Sequence, residues 1–216
     1  MYQFAIGREL ARLLGYTIPS LLLLWYLFFL KGKKIFPKRI LPGDFQSLII
    51  ALPGLLGIGL GISVLSSILS GSEISAAVVG APGGPGAWIV MILSCFSTGY
   101  LEETYFRHYL LSLFGKHRPG TPLSGPENPE SGVAGIPPPG RGKLLGALCA
   151  KTGAVPGIAL STALFSLCHI YEGPWGMANA VLAGLFLSLI YTHYGAIHGL
   201  AWAHGLYNIF VYANGV

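Results

Sequence analysis

The sequence predicts an all-α fold, a polytopic transmembrane bundle of about six spans forming one domain over residues 1–216. Three observations carry that expectation. The chain is 53% hydrophobic and only 10% charged, where a soluble domain of this size holds about a quarter charged residues. Apolar runs recur near 14–30, 46–70, 87–114, 154–171, 176–193 and 196–213. Most basic residues sit in short clusters between those runs, as in membrane loops. The net charge of +5 therefore does not indicate nucleic acid, and no aromatic-interleaved basic face supports such a partner.

The first run, "IPSLLLLWYLFFL", follows Arg8 and Arg12 and is followed by "KGKK" rather than a small-residue cleavage site. That pattern predicts an uncleaved first span and not a signal peptide. Gly and Pro inside the later runs are compatible with membrane helices, where neighbouring elements re-satisfy the backbone. The connection Gly71 to Gly86 contains no Lys or Arg, whereas Lys31 to Arg39 and Lys116 to Lys151 contain five each. Ten of the thirteen basic residues thus fall on one side, which predicts cytoplasmic loops there and both termini outside. Arg8 and Arg12 oppose that sense for the first helix. The three cysteines, Cys95, Cys149 and Cys168, are odd in number and scattered, which excludes a disulfide framework or zinc ribbon. They are expected to pack as small buried hydrophobes.

The stretch Gly115 to Lys143 is dense in Pro, Gly and Ser and is expected to form a flexible cytoplasmic loop. Its "PPP" is compatible with polyproline II binding by a partner, but a solvated linker is the favoured account.

The segment "GYLEETYFRHYLL" places Glu102, Glu103 and Arg107 within an apolar helix. Glu103 and Arg107 are spaced i,i+4 with the acid first, the better orientation for a pair on one helix face. Glu102 points about 100° away and has no partner nearby in sequence. Desolvation penalises the charged form of such a group, which suits it to taking a proton from water. All three residues also fit helix–helix glue, but ionisable groups at membrane depth usually mark a functional site.

Two further stretches add polar groups. "FSLCH" puts His169 in the fourth helix, one turn after Phe165, and "HGLYN" puts His204 and Asn208 on one face of the last. Counting from the cytoplasmic boundaries, Glu102 lies about 18 Å in, His169 and Asn208 about 20 Å, and His204 about 14 Å. That common depth predicts a polar catalytic cavity inside the membrane, open to the cytoplasm. A carboxylate and an imidazole sharing one water can deprotonate it for attack on a carbonyl. An imidazole and a carboxamide one turn apart can hold the oxyanion that forms. Ser166 and Cys168 flank His169, but no serine or cysteine is placed beside a base as a covalent nucleophile.

With these residues in view, the chain resembles the CAAX prenyl endopeptidase and bacteriocin-processing family of intramembrane proteases. "EETYFR" matches its EExxxR motif, "FSLCH" its FxxxH motif and "HGLYN" its HxxxN motif, in the family's order. "GLFLSLIYTHYGAIHGLAWAH" resembles its glycine-bearing penultimate helix, tight turn and final helix. The resemblance covers roughly residues 88–210. It implies a metal-independent glutamate endopeptidase with no cofactor. By that resemblance Glu102 and His169 activate water, Glu103 and Arg107 support Glu102, and His204 with Asn208 form the oxyanion hole. The chain departs from the family at His108, where Gly often follows the motif arginine, and at Ser188, Ala180 and His198. The stretch 115–143 looks like an insertion relative to compact members.

Three other readings compete. A zinc metalloprotease would use His169, His204 and Glu102, with His193 and His198 as further candidates, although HExxH is absent. A non-proteolytic scaffold or chaperone of the same family would not require every motif residue to be retained. A proton-coupled transporter would lead one to expect internal repeats, and none is visible. The partners expected are the lipid bilayer and a peptide or protein cut close to it. A bacterial cytoplasmic membrane is the favoured location.

Overall fold

The computed structural model describes residues 6–30, 40–70, 82, 84–114 and 154–214. The basic loop 31–39, the 115–143 stretch, Cys149 and the side chains of Arg8 and Arg12 lie outside that description. Among the described residues every element is helical. They are α1 (Ile6–Leu30), α2 (Pro42–Ser70), α3 (Pro85–Glu102), a π-helical segment (Glu103–Leu110), α4 (Leu111–Phe114), α5 (Ala154–Leu167), a 3-10 turn (Ile170–Glu172), α6 (Gly173–Tyr194) and α7 (Ile197–Asn214). The apolar runs read from sequence correspond to these helices, with α1 and α2 beginning several residues earlier than expected.

Two of the helical stretches are long and apolar enough to cross a bilayer. Pro42–Leu69 has 28 residues with mean hydropathy 2.4, and Ile170–Tyr194 has 25 with mean hydropathy 1.4. Large apolar side chains such as Phe29, Ile49, Leu60, Ile68 and Ile89 are exposed on the outside of the bundle. A surface of that kind matches lipid tails, not water.

Helix α7 lies between α2 and α3, α6 packs on α2 and α5, and α1 lies along α3. Small residues set these approaches. A methyl at Gly99 would stand 2.8 Å from the Ala201 carbonyl, and one at Gly205 would stand 2.7 Å from the Phe96 ring. Glycines at such crossings let helix backbones approach in the absence of a hydrophobic driving force between them. Gly195, in the left-handed region with φ 63°, ends α6 and donates its N–H to the Tyr191 carbonyl at 2.8 Å. Only Ala196 then separates it from α7, so the expected tight turn is present.

One buried carboxylate holds two helix starts. Asp44 Oδ2 accepts the Leu41 N–H at 2.8 Å, capping its own helix, while Oδ1 accepts the Gly199 N–H of α7 at 3.0 Å. An anion at two N-termini satisfies orphan donors and meets both dipoles favourably. Gly199 is required there, because any Cβ would collide with the Asp44 carbonyl and the Ser47 hydroxyl. The starts of α2 and α7 are thereby fixed at the same end of the bundle.

Asp44→Ala is expected to lower stability in detergent by about 3 kcal/mol, since two hydrogen bonds to a buried charge are lost. Asp44→Asn, which keeps an acceptor for one helix start, should lose about half as much. Thermal unfolding of the two variants side by side checks this; equal losses would show that the second cap contributes nothing.

Candidate active site

Helix three does not remain an α-helix through its charged residues. At Glu103 it widens into a π-helical segment that runs to Leu110, where 3.6-residue geometry no longer applies. The change begins at the acidic pair: the Glu103 N–H is directed at both the Gly99 and the Tyr100 carbonyls. The widened ladder accepts a donor from outside, the Ser161 hydroxyl of α5, which bonds the Phe106 carbonyl at 2.7 Å. Segments of this kind concentrate at functional sites, because they re-aim side chains out of helical register.

Glu103 and Arg107 are both fully buried. Arg107 Nη1 lies 3.1 Å from Glu103 Oε1, so the ion pair anticipated from i,i+4 spacing is present. Arg107 Nη2 also donates to the Gly184 carbonyl of α6 at 3.4 Å. The guanidinium stands 4.4 Å from the Phe165 ring centroid, a cation–π contact from α5. Arginine suits this place because its flat, weakly hydrated cation can pair with a carboxylate and stack on a ring together.

His204 joins the same carboxylate from α7. Its Nδ1 is 2.9 Å from Glu103 Oε1. A carboxylate can only accept, so Nδ1 carries the proton and Nε2 is directed elsewhere. Nε2 lies 3.6 Å from Glu102 Oε2. Glu102 differs from its neighbour in two ways. Its side chain is 13% exposed against 0% for Glu103, and its imidazole contact is long, 3.6 Å, whereas Glu103 Oε1 receives Arg107 at 3.1 Å and His204 at 2.9 Å. One glutamate is therefore locked into the scaffold, and the other is held loosely near an imidazole and is partly exposed.

His169 does not lie inside α5 as the sequence suggested. The helix ends at Leu167, and His169 occupies the turn before the 3-10 segment, its N–H bonded to the Ser166 carbonyl at 2.9 Å. Gly173, with φ 78° and followed by Pro174, redirects the chain into α6. The histidine Nδ1 contacts the Phe165 carbonyl at 2.7 Å. A carbonyl also only accepts, which leaves the lone pair on Nε2. The ring is half-buried and within charge–charge range of Glu102. Phe165 lies between the histidines, its ring 4.6 Å from that of His169 and 6.0 Å from that of His204.

Asn208 is half-buried one turn beyond His204, and among the described residues its side chain makes no hydrogen bond to the cluster. His198, a zinc candidate from sequence, instead contacts the Tyr100 hydroxyl at 3.2 Å, and His193 packs on Tyr194. Among the described residues no three His, Cys, Asp or Glu side chains are grouped to hold a metal. His108 stacks on Phe28 and contacts the Tyr191 hydroxyl at 2.9 Å. Ser188 and Ala180 are buried in α6. Cys95 is buried as expected, but Cys168 is exposed, because α5 has already ended there.

Sequence reasoning passed over Asp44, Ser161 and the Gly99–Gly205 crossing. Asp44 carried a readable signal, an acid two residues after a helix-starting proline. The others had none, since their partners are distant in sequence.

Fold and site together define a helical membrane protein with a buried acid–imidazole cluster. Residues 140–210 match the family model described as Rce1-like, type II CAAX prenyl endopeptidase. That stretch, about a third of the chain, is similar to a family of peptide hydrolases. No curated protein and no solved structure matches the chain. The matched segment holds His169, His204 and Asn208 but not the glutamates or Arg107. It is the fold that joins the two groups, through His204.

Arg107→Met is expected to cost about 3–5 kcal/mol, because it strands a buried Glu103. Adding Glu103→Met should recover much of that loss. A double-mutant cycle on unfolding in detergent measures the coupling; strictly additive losses would show that the pair is not a unit.

Proposed function

We propose that this chain is a multi-pass intramembrane endopeptidase that cuts a peptide or protein close to the bilayer, using a water activated by Glu102 and His169. The observation that carries the proposal is the contrast between the glutamates, one fully buried and held by Arg107 and His204 and the other partly exposed with only a 3.6 Å approach to His204. A water between Glu102 and the His169 Nε2 lone pair gives up a proton as its oxygen attacks the scissile carbonyl carbon. The carbonyl oxygen becomes the oxyanion. Asn208, and His204 when both its ring nitrogens are protonated, donate hydrogen bonds to it. The abstracted proton then passes to the leaving amine as the C–N bond breaks.

Glu103 and Arg107 act through their neighbours. Glu103 orients the His204 ring and fixes which nitrogen faces Glu102, the usual task of a carboxylate behind a catalytic imidazole. Arg107 balances that buried charge. Their pairing explains why charged residues are tolerated inside an apolar bundle: each charge faces an opposite one. Six membrane crossings, with the basic loops 31–39 and 116–151 in the cytoplasm, fit the helix order and the charge distribution.

Glu102→Gln should lower the rate of peptide cleavage by about 10²–10⁴-fold with the protein still folded, as expected on removing a general base. Asn208→Ala should lower kcat by about 10²–10³-fold with little change in KM. Assays of membrane-embedded protein on a peptide library, with and without Glu102→Gln, check both and identify the substrate. Retained function in Glu102→Gln would support a scaffold instead. Activity is expected to survive exhaustive chelation; complete loss restored by zinc would favour the metalloprotease reading.

A further inference from the structure

Helix α7 is held at three successive points: Gly199 by Asp44, His204 by Glu103, and Gly205 against Phe96. All three precede Asn208. A helix that extends past its last point of support can swing there. Three residues beyond Gly205, about 4.5 Å along the axis, a swing of about 13° displaces the backbone by about 1 Å. A misplacement of that size can cost a catalytic group about 100-fold in rate. The oxyanion-holding role of Asn208 therefore calls for a further support, from another side of α7.

Tyr207 supplies it. The residue directly precedes Asn208 and points about 60° from His204 around the helix. It is partly buried and packs against the main group of buried apolar side chains. Its hydroxyl accepts a hydrogen bond from Asn179 Nδ2 of α6 at 3.3 Å. Helix α2 is shaped to receive that hydroxyl. A methyl at Gly59 would stand 2.7 Å from Tyr207 Oη, whereas one at Gly57 or Gly61 would meet nothing within 4 Å. Helices α6 and α7 both pack along α2, and the Asn179–Tyr207 bond joins them directly.

The same turn of α6 is tied to His169. Two residues before Asn179, the Met177 carbonyl accepts the Ser166 hydroxyl of α5 at 3.2 Å. Ser166 is also the residue whose carbonyl accepts the His169 N–H at 2.9 Å. A short path of hydrogen bonds and stiff helix backbone thus runs from His169 through Ser166 and the Met177–Asn179 turn to Tyr207, the neighbour of Asn208.

We propose that Asn179 is a positioning residue for the reaction. Through the Tyr207 hydroxyl it sets the place of Asn208 relative to His169, and with it the distance between the imidazole that helps activate water and the amide that holds the oxyanion. Asn179 itself touches neither. Its effect on catalysis rests on the endopeptidase reading, whereas its hold on α7 does not.

The test uses the full chain in detergent with Asn179→Leu and Tyr207→Phe, which nearly keep side-chain volume and lose the bond. Each should lower kcat by about tenfold and change KM by less than about twofold, because a displaced oxyanion donor is felt in the transition state. The double variant should be no slower than the slower single one, since all three lose the same bond. In an Asn208→Ala background, Asn179→Leu should change kcat by less than about twofold, because the group it positions is gone. A purely structural role would leave kcat per folded molecule unchanged, or lower it by the same factor with and without Asn208; either result overturns the proposal. Hydrogen exchange of the 205–212 amides should be at least about threefold faster in both variants than in the native chain. Unchanged exchange there overturns the hold on α7 whatever the activity. Cleavage by Glu102→Gln at the native rate would sink the endopeptidase reading instead, and exchange at 205–212 would still decide whether Asn179 holds that turn.

Discussion

Glu103 Oε1 is the point on which the rest of the structure depends. One oxygen atom receives Arg107 from its own helix and His204 from α7, at 3.1 Å and 2.9 Å. In a low-dielectric interior an isolated carboxylate or guanidinium would be costly, and each partner alone would leave a charge stranded. Shared among three groups, the charge becomes a joint that α3 and α7 cannot leave without exposing it. The guanidinium then extends the joint to α6 through the Gly184 carbonyl and to α5 through Phe165. Four helices are coordinated by one ion pair.

Such a joint requires close backbones, and the glycines provide them. Gly99 and Gly205 bring α3 against α7 just outside the cluster, and Gly199 lets α7 meet the cap of α2. Larger residues at these places would separate the helices and lengthen the carboxylate–imidazole contacts. The π-helical segment contributes in the same way. It begins at Glu103 and carries Arg107 and Phe106 out of ordinary helical register. Consecutive residues of a helix point about 100° apart, so the two acids meet different surroundings, and proposed catalysis depends on that difference.

Much of this was legible along the chain. Apolar runs of span length marked the helices, because burying backbone polar groups in lipid leaves few options other than a helix. Glu103 and Arg107 paired because i,i+4 spacing is a local geometric fact. His204 and Asn208 shared a helix face for the same reason. His169 was placed one step too far inside its helix. Its motif spacing was read with helical periodicity, and the Gly173–Pro174 break that ends the helix acts on the residues before it. The bond from His204 to Glu103, and not only to Glu102, was not legible, since it spans a sequence separation of 101.

The sequence by itself determined the class of molecule, the helices and the residue types available for chemistry, because these follow from composition and short-range periodicity. Tertiary structure alone decided which glutamate is tied down and which nitrogen of each histidine is left to act. Those properties depend on contacts between residues far apart in the chain, and on the volume left between helices once their small residues have let them meet.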